Sequence, residues 1–107
     1  MGVTIKGKSG TSYEFYGAYS STMPLKDNLG VYAILCEKDK KLNLIDVGES
    51  AKVKERVENH DRRDCWEINC LESIKYAAYY IEHGRKPSRT EVEQDIRDNY
   101  NIPCGEK

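Results

Sequence analysis

The spacing of apolar positions changes character near residue 50. Before it, aromatic and β-branched residues come in short blocks: VTIK and SYEFYGAY, split by the turn-prone KGKSG, predict a hairpin. SSTMPLKDN, with a proline inside a polar cluster, reads as a connector. GVYAILC, the charged loop EKDKK and LNLIDVG predict a second hairpin. Strand alternation sets Tyr32 on the face of Ile34, and Asp46 on the face of Leu42 and Leu44. Asp46 stands out because a carboxylate inside an apolar run must either face solvent or be paired.

After Gly48 the period lengthens. Ser50 is placed to cap a helix through AKVKERVENH, with Val53 and Val57 as its inner stripe. Arg56 and His60, four residues apart, share one face of it. As an isolated pair they read as a solvated charge and a partner for the helix C-terminus. RRDCWEINCLES predicts a short helix or an ordered loop. SIKYAAYYIE predicts a central strand, because both alternating sets are largely apolar or aromatic. A last helix runs through SRTEVEQDIRDNY with Val92, Ile96 and Tyr100 inward. Two capping boxes compete at its start, Ser88 with Glu91 and Thr90 with Glu93. The first gives the longer helix and leaves Glu93 free, and is preferred.

Composition narrows the functions available. With 107 residues the chain has room for one core, and its net charge of −1 provides no global attraction for nucleic acid. Lys52, Lys54, Arg56, Arg62, Arg63, Arg85, Lys86 and Arg89 form two local basic stretches, diluted by Glu55, Glu58, Asp61 and Asp64. No run approaches the roughly 20 apolar residues of a membrane span, and MGVTIKGKSG lacks a signal peptide's apolar centre. The expectation is a soluble cytoplasmic chain. Cys36, Cys65, Cys70 and Cys104 show no C-x-x-C pair, so reduced thiols are expected, with His60, Cys65 and Cys70 as the one conceivable zinc set.

Taken in order, G-V-Y at 30 to 32, D-V-G at 46 to 48, R-x-x-x-H from Arg56 to His60, a strand, and a helix carrying Glu93 resemble the GIY-YIG nuclease domain. The resemblance covers residues 30 to about 103. It implies an α+β fold, a small mixed sheet flanked by helices, in which the 30–48 hairpin pairs with the strand near 74–82. Residues 1–29 would add an N-terminal hairpin and connector to a GIY-YIG-like domain at 30–107, within one compact unit. Two departures are visible. Asp46 occupies the place of the second triplet's tyrosine, and no asparagine follows Pro103.

By this resemblance the chain is a metal-dependent DNA endonuclease. Glu93 would hold one Mg2+ or Mn2+ ion, Tyr32 would assist attack by water, and Arg56 would hold the phosphate as a fork of donors. His60 would share proton transfer or bind a phosphate oxygen. Tyrosine, with an ordinary pKa of about 10, needs help to act as a base. Asp46 would serve as a general base or a second metal carboxylate, or else silence the site. The alternative is a catalytically impaired relative that binds nucleic acid or protein, with a protein partner supplying specificity.

Overall fold

The structure, a computed structural model, describes residues 2–105; Met1, Glu106 and Lys107, at the ends of the two expected stretches, lie outside the described residues. The strands are β1 (Gly2–Lys6), β2 (Ser12–Tyr19), β3 (Gly30–Lys38), β4 (Lys41–Ser50) and β5 (Ser73–Tyr80). They form one antiparallel sheet in the order β1-β2-β5-β3-β4. The helices are α1 (Val53–Glu58), α2 (Arg63–Asn69) and α3 (Arg89–Arg97). The α+β class and the pairing of the β3–β4 hairpin with β5 follow the sequence reading, and β5 is the central strand. All strand pairs are antiparallel, so the sheet itself is not the mixed one expected from the sequence.

Apolar side chains cover both faces of the sheet. Tyr32, Ile34 and Ile45 pack with Val53 and Val57 of α1 and Trp66 of α2 on one face. Val31, Ala33, Leu35 and Val47 pack with Val92 and Ile96 of α3 on the other. This two-sided burial explains why GVYAILC is an unbroken apolar run rather than an alternating one. The N-terminal hairpin belongs to the same sheet through β2 and β5. Its turn is pinned to α3, where Asp95 accepts from Ser9 N, Ser9 Oγ and Tyr13 Oη at 2.9, 2.7 and 2.7 Å.

Three local expectations are corrected. The register shifts between Ile34 and Leu35: Ile34 pairs with Asp46, but Leu35 pairs with Leu44. The extra residue, Ile45, breaks the alternation, so Leu44 packs with the α3-side cluster while Asp46 turns to the face of Ile34 and Tyr32. Ser50 does not cap α1, because β4 continues through it and its hydroxyl accepts from Lys52 N at 3.0 Å. The first turn of α1 instead bonds to the connector, through Val53 N to Asn28 O, Lys54 N to Lys26 O, and Glu55 N to Asp27 Oδ1. A six-residue helix has little stability of its own, so these bonds and the burial of two valines hold it. The β3–β4 loop is shorter than EKDKK: Asp39 and Lys40 alone make the turn, both with positive φ (52° and 65°).

The cysteines are not free thiols. Cys36 is bridged to Cys70 and Cys65 to Cys104, which ties α2 to β3 on one side and to the C-terminal segment on the other. The pattern was not visible as a framework because the bridging partners lie 34 and 39 residues apart. Closing loops of that length removes about 2–4 kcal/mol of unfolded-chain entropy per bridge. We expect a reducing agent to lower the unfolding free energy from urea titration by several kcal/mol in total, with a lower midpoint, and Cys65→Ala/Cys104→Ala to lose about one share. An unchanged midpoint under full reduction would contradict this.

Candidate functional site

Asp46 has no exposed surface. Its Oδ2 accepts from Arg62 Nε at 2.9 Å and from Trp66 Nε1 at 2.7 Å. Its Oδ1 accepts from Arg62 Nη2 at 3.1 Å, Arg97 Nη2 at 2.9 Å and its own neighbour Val47 N at 2.8 Å. Two guanidiniums, an indole and a backbone amide therefore surround one carboxylate. Among the described residues no buried side-chain nitrogen or oxygen lacks a partner. An anion so engaged has no lone pair to spare for a proton or a metal, so the general-base and metal-ligand roles expected of Asp46 do not fit this geometry.

Arg97 reaches Asp46 from α3 on the far side of the sheet, round the outer edge of β4. It also donates to Val47 O, to Cys104 O at 3.2 Å and to Glu93 Oε2 at 3.1 Å. Cys104 N in turn donates to Ile45 O. Carbonyls that an edge strand would leave open are thus closed by Arg97 and by the C-terminal segment.

Tyr32 and His60 lie beside this centre. The Tyr32 hydroxyl is hydrogen-bonded to His60 Nε2, and both side chains are nearly inaccessible. Gly48 is required here, since a Cβ at that position would coincide with the Tyr32 hydroxyl. His60 Nδ1 accepts from Arg62 N at 3.0 Å, which puts the ring proton on Nε2 and makes the histidine the donor to Tyr32. The ring also packs on Trp66, with centroids 4.7 Å apart. Burial, then the charges of Arg56 and Arg62, push the His60 pKa down to about 4. Burial pushes the Tyr32 pKa up to about 12, with Arg62 opposing it. At neutral pH both are uncharged.

His60 is not on the helix with Arg56: α1 ends at Glu58, Asn59 is its C-cap, and His60 turns inward. Arg56 points outward and pairs with Asp61 at 3.1 Å, its side chain 38% exposed. Glu93 is 23% exposed and pairs with Arg97. The Ser88–Glu91 capping box is closed, as preferred from the sequence, with Ser88 N donating to Glu91 Oε1 at 2.8 Å and Glu91 N to Ser88 Oγ at 3.3 Å. Tyr100 lies beyond the end of α3 and is partly exposed. The conceived zinc set is not assembled, because His60 is committed to Tyr32 and Cys65 to Cys104.

The structure therefore joins Tyr32 to His60 and Asp46 to Arg62, while Arg56 is paired with Asp61 and Glu93 with Arg97. Arg62, Trp66 and Arg97 were missed by sequence reasoning. The i, i+4 spacing of Glu93 and Arg97 and the indole's need for an acceptor were the available signals. The surface basic residues are offset locally, with Arg89 on Glu49 at 3.1 Å, Arg85 on Glu82 at 3.9 Å and Lys86 on Glu91 at 3.9 Å. Comparison with protein-family models, curated proteins and solved structures finds no match to the chain.

Two predictions follow from the burial. Asp46→Asn keeps the volume but removes the anion that the buried Arg97 and the part-buried Arg62 share, so unfolding free energy should fall by about 3–5 kcal/mol in urea titration; a surface carboxylate would change by less than about 0.5 kcal/mol. His60 binds its proton more readily when unfolded, near 6.5, than when folded, near 4. Its contribution is complete above pH 6.5 and is lost as pH falls towards 4, a slope that His60→Gln should remove from the pH dependence of unfolding.

Proposed function

We propose that this domain hydrolyses phosphodiester bonds in DNA in the manner of the GIY-YIG nucleases, with Asp46 as the structural centre of the site rather than a reactant. The observation that supports the reading is the hydrogen-bonded Tyr32–His60 pair, two of the residues the resemblance selects, whose hydroxyl also feels the charges of Arg56 and Glu93.

Glu93 suits a single-carboxylate contact to Mg2+ or Mn2+. It is partly exposed, and such ions are commonly held by one or two carboxylates together with water and substrate phosphate. Arg97 engages its Oε2 and orients the group. A divalent ion bound there supplies charge for the phosphate and acidifies its water.

The remaining work belongs to side chains. Arg56 offers a planar fork of donors to a phosphate, and its exchange of Asp61 costs little because exposed ion pairs contribute only about 0–1 kcal/mol. With its pKa near 12, Tyr32 retains its proton and acts as a hydrogen-bond donor to the reacting group. His60, donating from Nε2, fixes the orientation of that hydroxyl.

A second reading, a catalytically impaired module that binds nucleic acid or protein, is favoured by the burial of Tyr32 and His60, only 2% and 5% exposed. The compartment is a separate matter. No helix among the described residues is long and apolar enough to cross a membrane. The closed bridges support an oxidising setting over the cytoplasm expected from the sequence.

The test is cleavage of supercoiled and branched DNA with Mg2+ or Mn2+. Activity should fall by at least about 100-fold in Glu93→Gln and Tyr32→Phe and persist in Glu91→Gln, whose carboxylate serves the helix cap. Absence of cleavage by the folded wild-type protein, with DNA or a protein partner still bound, would select the module.

A further inference from the structure

Away from the Tyr32 site, the Cys36–Cys70 bridge has a third neighbour. The carboxylate of Glu72 lies 3.7 Å from Cys36 Sγ, and the ligand atoms of Cys36, Cys70 and Glu72 all fall within 4.8 Å of one another. They come from three places: the interior of β3, the C-cap of α2, and the approach to β5. We infer that these three residues form a redox-gated binding site for a thiolate-seeking divalent cation of the zinc class, shut while the bridge is closed and opened by its reduction.

The spacing is the first support. Metal–sulfur distances of about 2.3 Å and metal–oxygen distances of about 2.0 Å at tetrahedral angles put sulfur and oxygen roughly 3.5 Å apart, close to what Cys36 and Glu72 already show. Two thiolates on one such ion stand roughly 3.8 Å apart, so the bridged sulfurs need only separate by a short distance without moving their strands and helix. The donor set is the second support. Two thiolates and one carboxylate neutralise and exceed the ion's charge, and sulfur ligands select zinc-class ions over Mg2+.

Access is the third. A cavity of about 460 Å3 opens on this corner, lined by Cys36, Lys38, Asn43, Ile68, Asn69 and Glu72, and leaves room for a water as the fourth ligand. Glu72 stands on its exposed side, while Cys36 and Cys70 are 5% and 6% exposed. The carboxylate meets an incoming ion before the sulfurs do.

The chemistry balances in two steps. A dithiol reductant cleaves the Cys36–Cys70 bond, its own two thiols becoming a disulfide as two cysteine thiols form. The ion then takes both sulfurs as thiolates, and two protons are released. Metal and disulfide are alternative clasps between the same two elements.

The experiment uses the full chain, reduced by a water-soluble phosphine that is converted to its oxide, and titrated with Co2+. One ion per chain should bind, with sulfur-to-cobalt charge-transfer absorption in the near ultraviolet and tetrahedral bands in the visible, and Zn2+ should bleach both. The oxidised chain should show neither. Zn2+ should also raise the unfolding midpoint of the reduced chain, and should restore its strand and helix circular dichroism if reduction has abolished them.

Cys36→Ser should remove the charge-transfer band. Glu72→Gln should weaken binding beyond the roughly 10–100-fold typical of losing an outer-shell partner. Cys65→Ser/Cys104→Ser should keep the site. The inference is overturned by a reduced chain that gives no band and no gain in structure with Zn2+. It is equally overturned by a band that survives Cys36→Ser, or one that depends on Cys65 and Cys104.

Discussion

A single buried carboxylate organises the molecule. Asp46 joins β4 to the segment after α1 through Arg62, to α2 through Trp66 and to α3 through Arg97. Ion pairs of this kind contribute little net energy once desolvation is counted, yet they are costly to half-remove. Their effect is to exclude alternatives. A slip of β4 by one residue would turn Asp46 away from all three partners and leave Arg62 without its anion and Arg97 with Glu93 alone. The bulge at Ile45 is the backbone adjustment that permits this, since it lets an apolar residue and the carboxylate follow one another on the same face.

The polar centre also sets the state of its neighbours. Arg62 binds Asp46 with its side chain and His60 with its backbone amide, so the hub and the Tyr32–His60 pair share one residue. The positive field that Asp46 requires is the same field that opposes protonation of His60. A tyrosine at position 46 would restore the triplet of the nuclease family while removing the anion that Arg62 and Arg97 share. Restoring a motif and restoring a site are different operations here.

The sequence carried much of the fold and only part of the site. Strand and helix faces were legible wherever apolar period was strong: Val53 with Val57, Val92 with Ile96, and the two-sided SIKYAAYY. The Ser88–Glu91 box was legible because capping is local. What stayed hidden was non-local. The inward turn of His60 depends on where α1 stops, which is decided by connector atoms at positions 26 to 28. The bulge at Ile45 has no signature residue, and the cysteine pairing and the reach of Arg97 require knowing which elements are neighbours.

The route of Arg97 round the edge of β4 has a consequence for how the chain is made. Asp46 emerges early in synthesis, but the guanidinium that joins it comes 51 residues later, and the carbonyl that steadies that guanidinium belongs to Cys104. A nascent chain halted before α3 can pair its central hairpin, yet it carries a half-neutralised carboxylate and an open strand edge. The polar centre therefore completes only once residues as far as Cys104 have been made, consistent with domains settling as units. Contacts of such long sequence separation also place it among the slower steps of folding. Arg97 and Cys104 together act as a completion signal, letting the polar centre close only after both have been made.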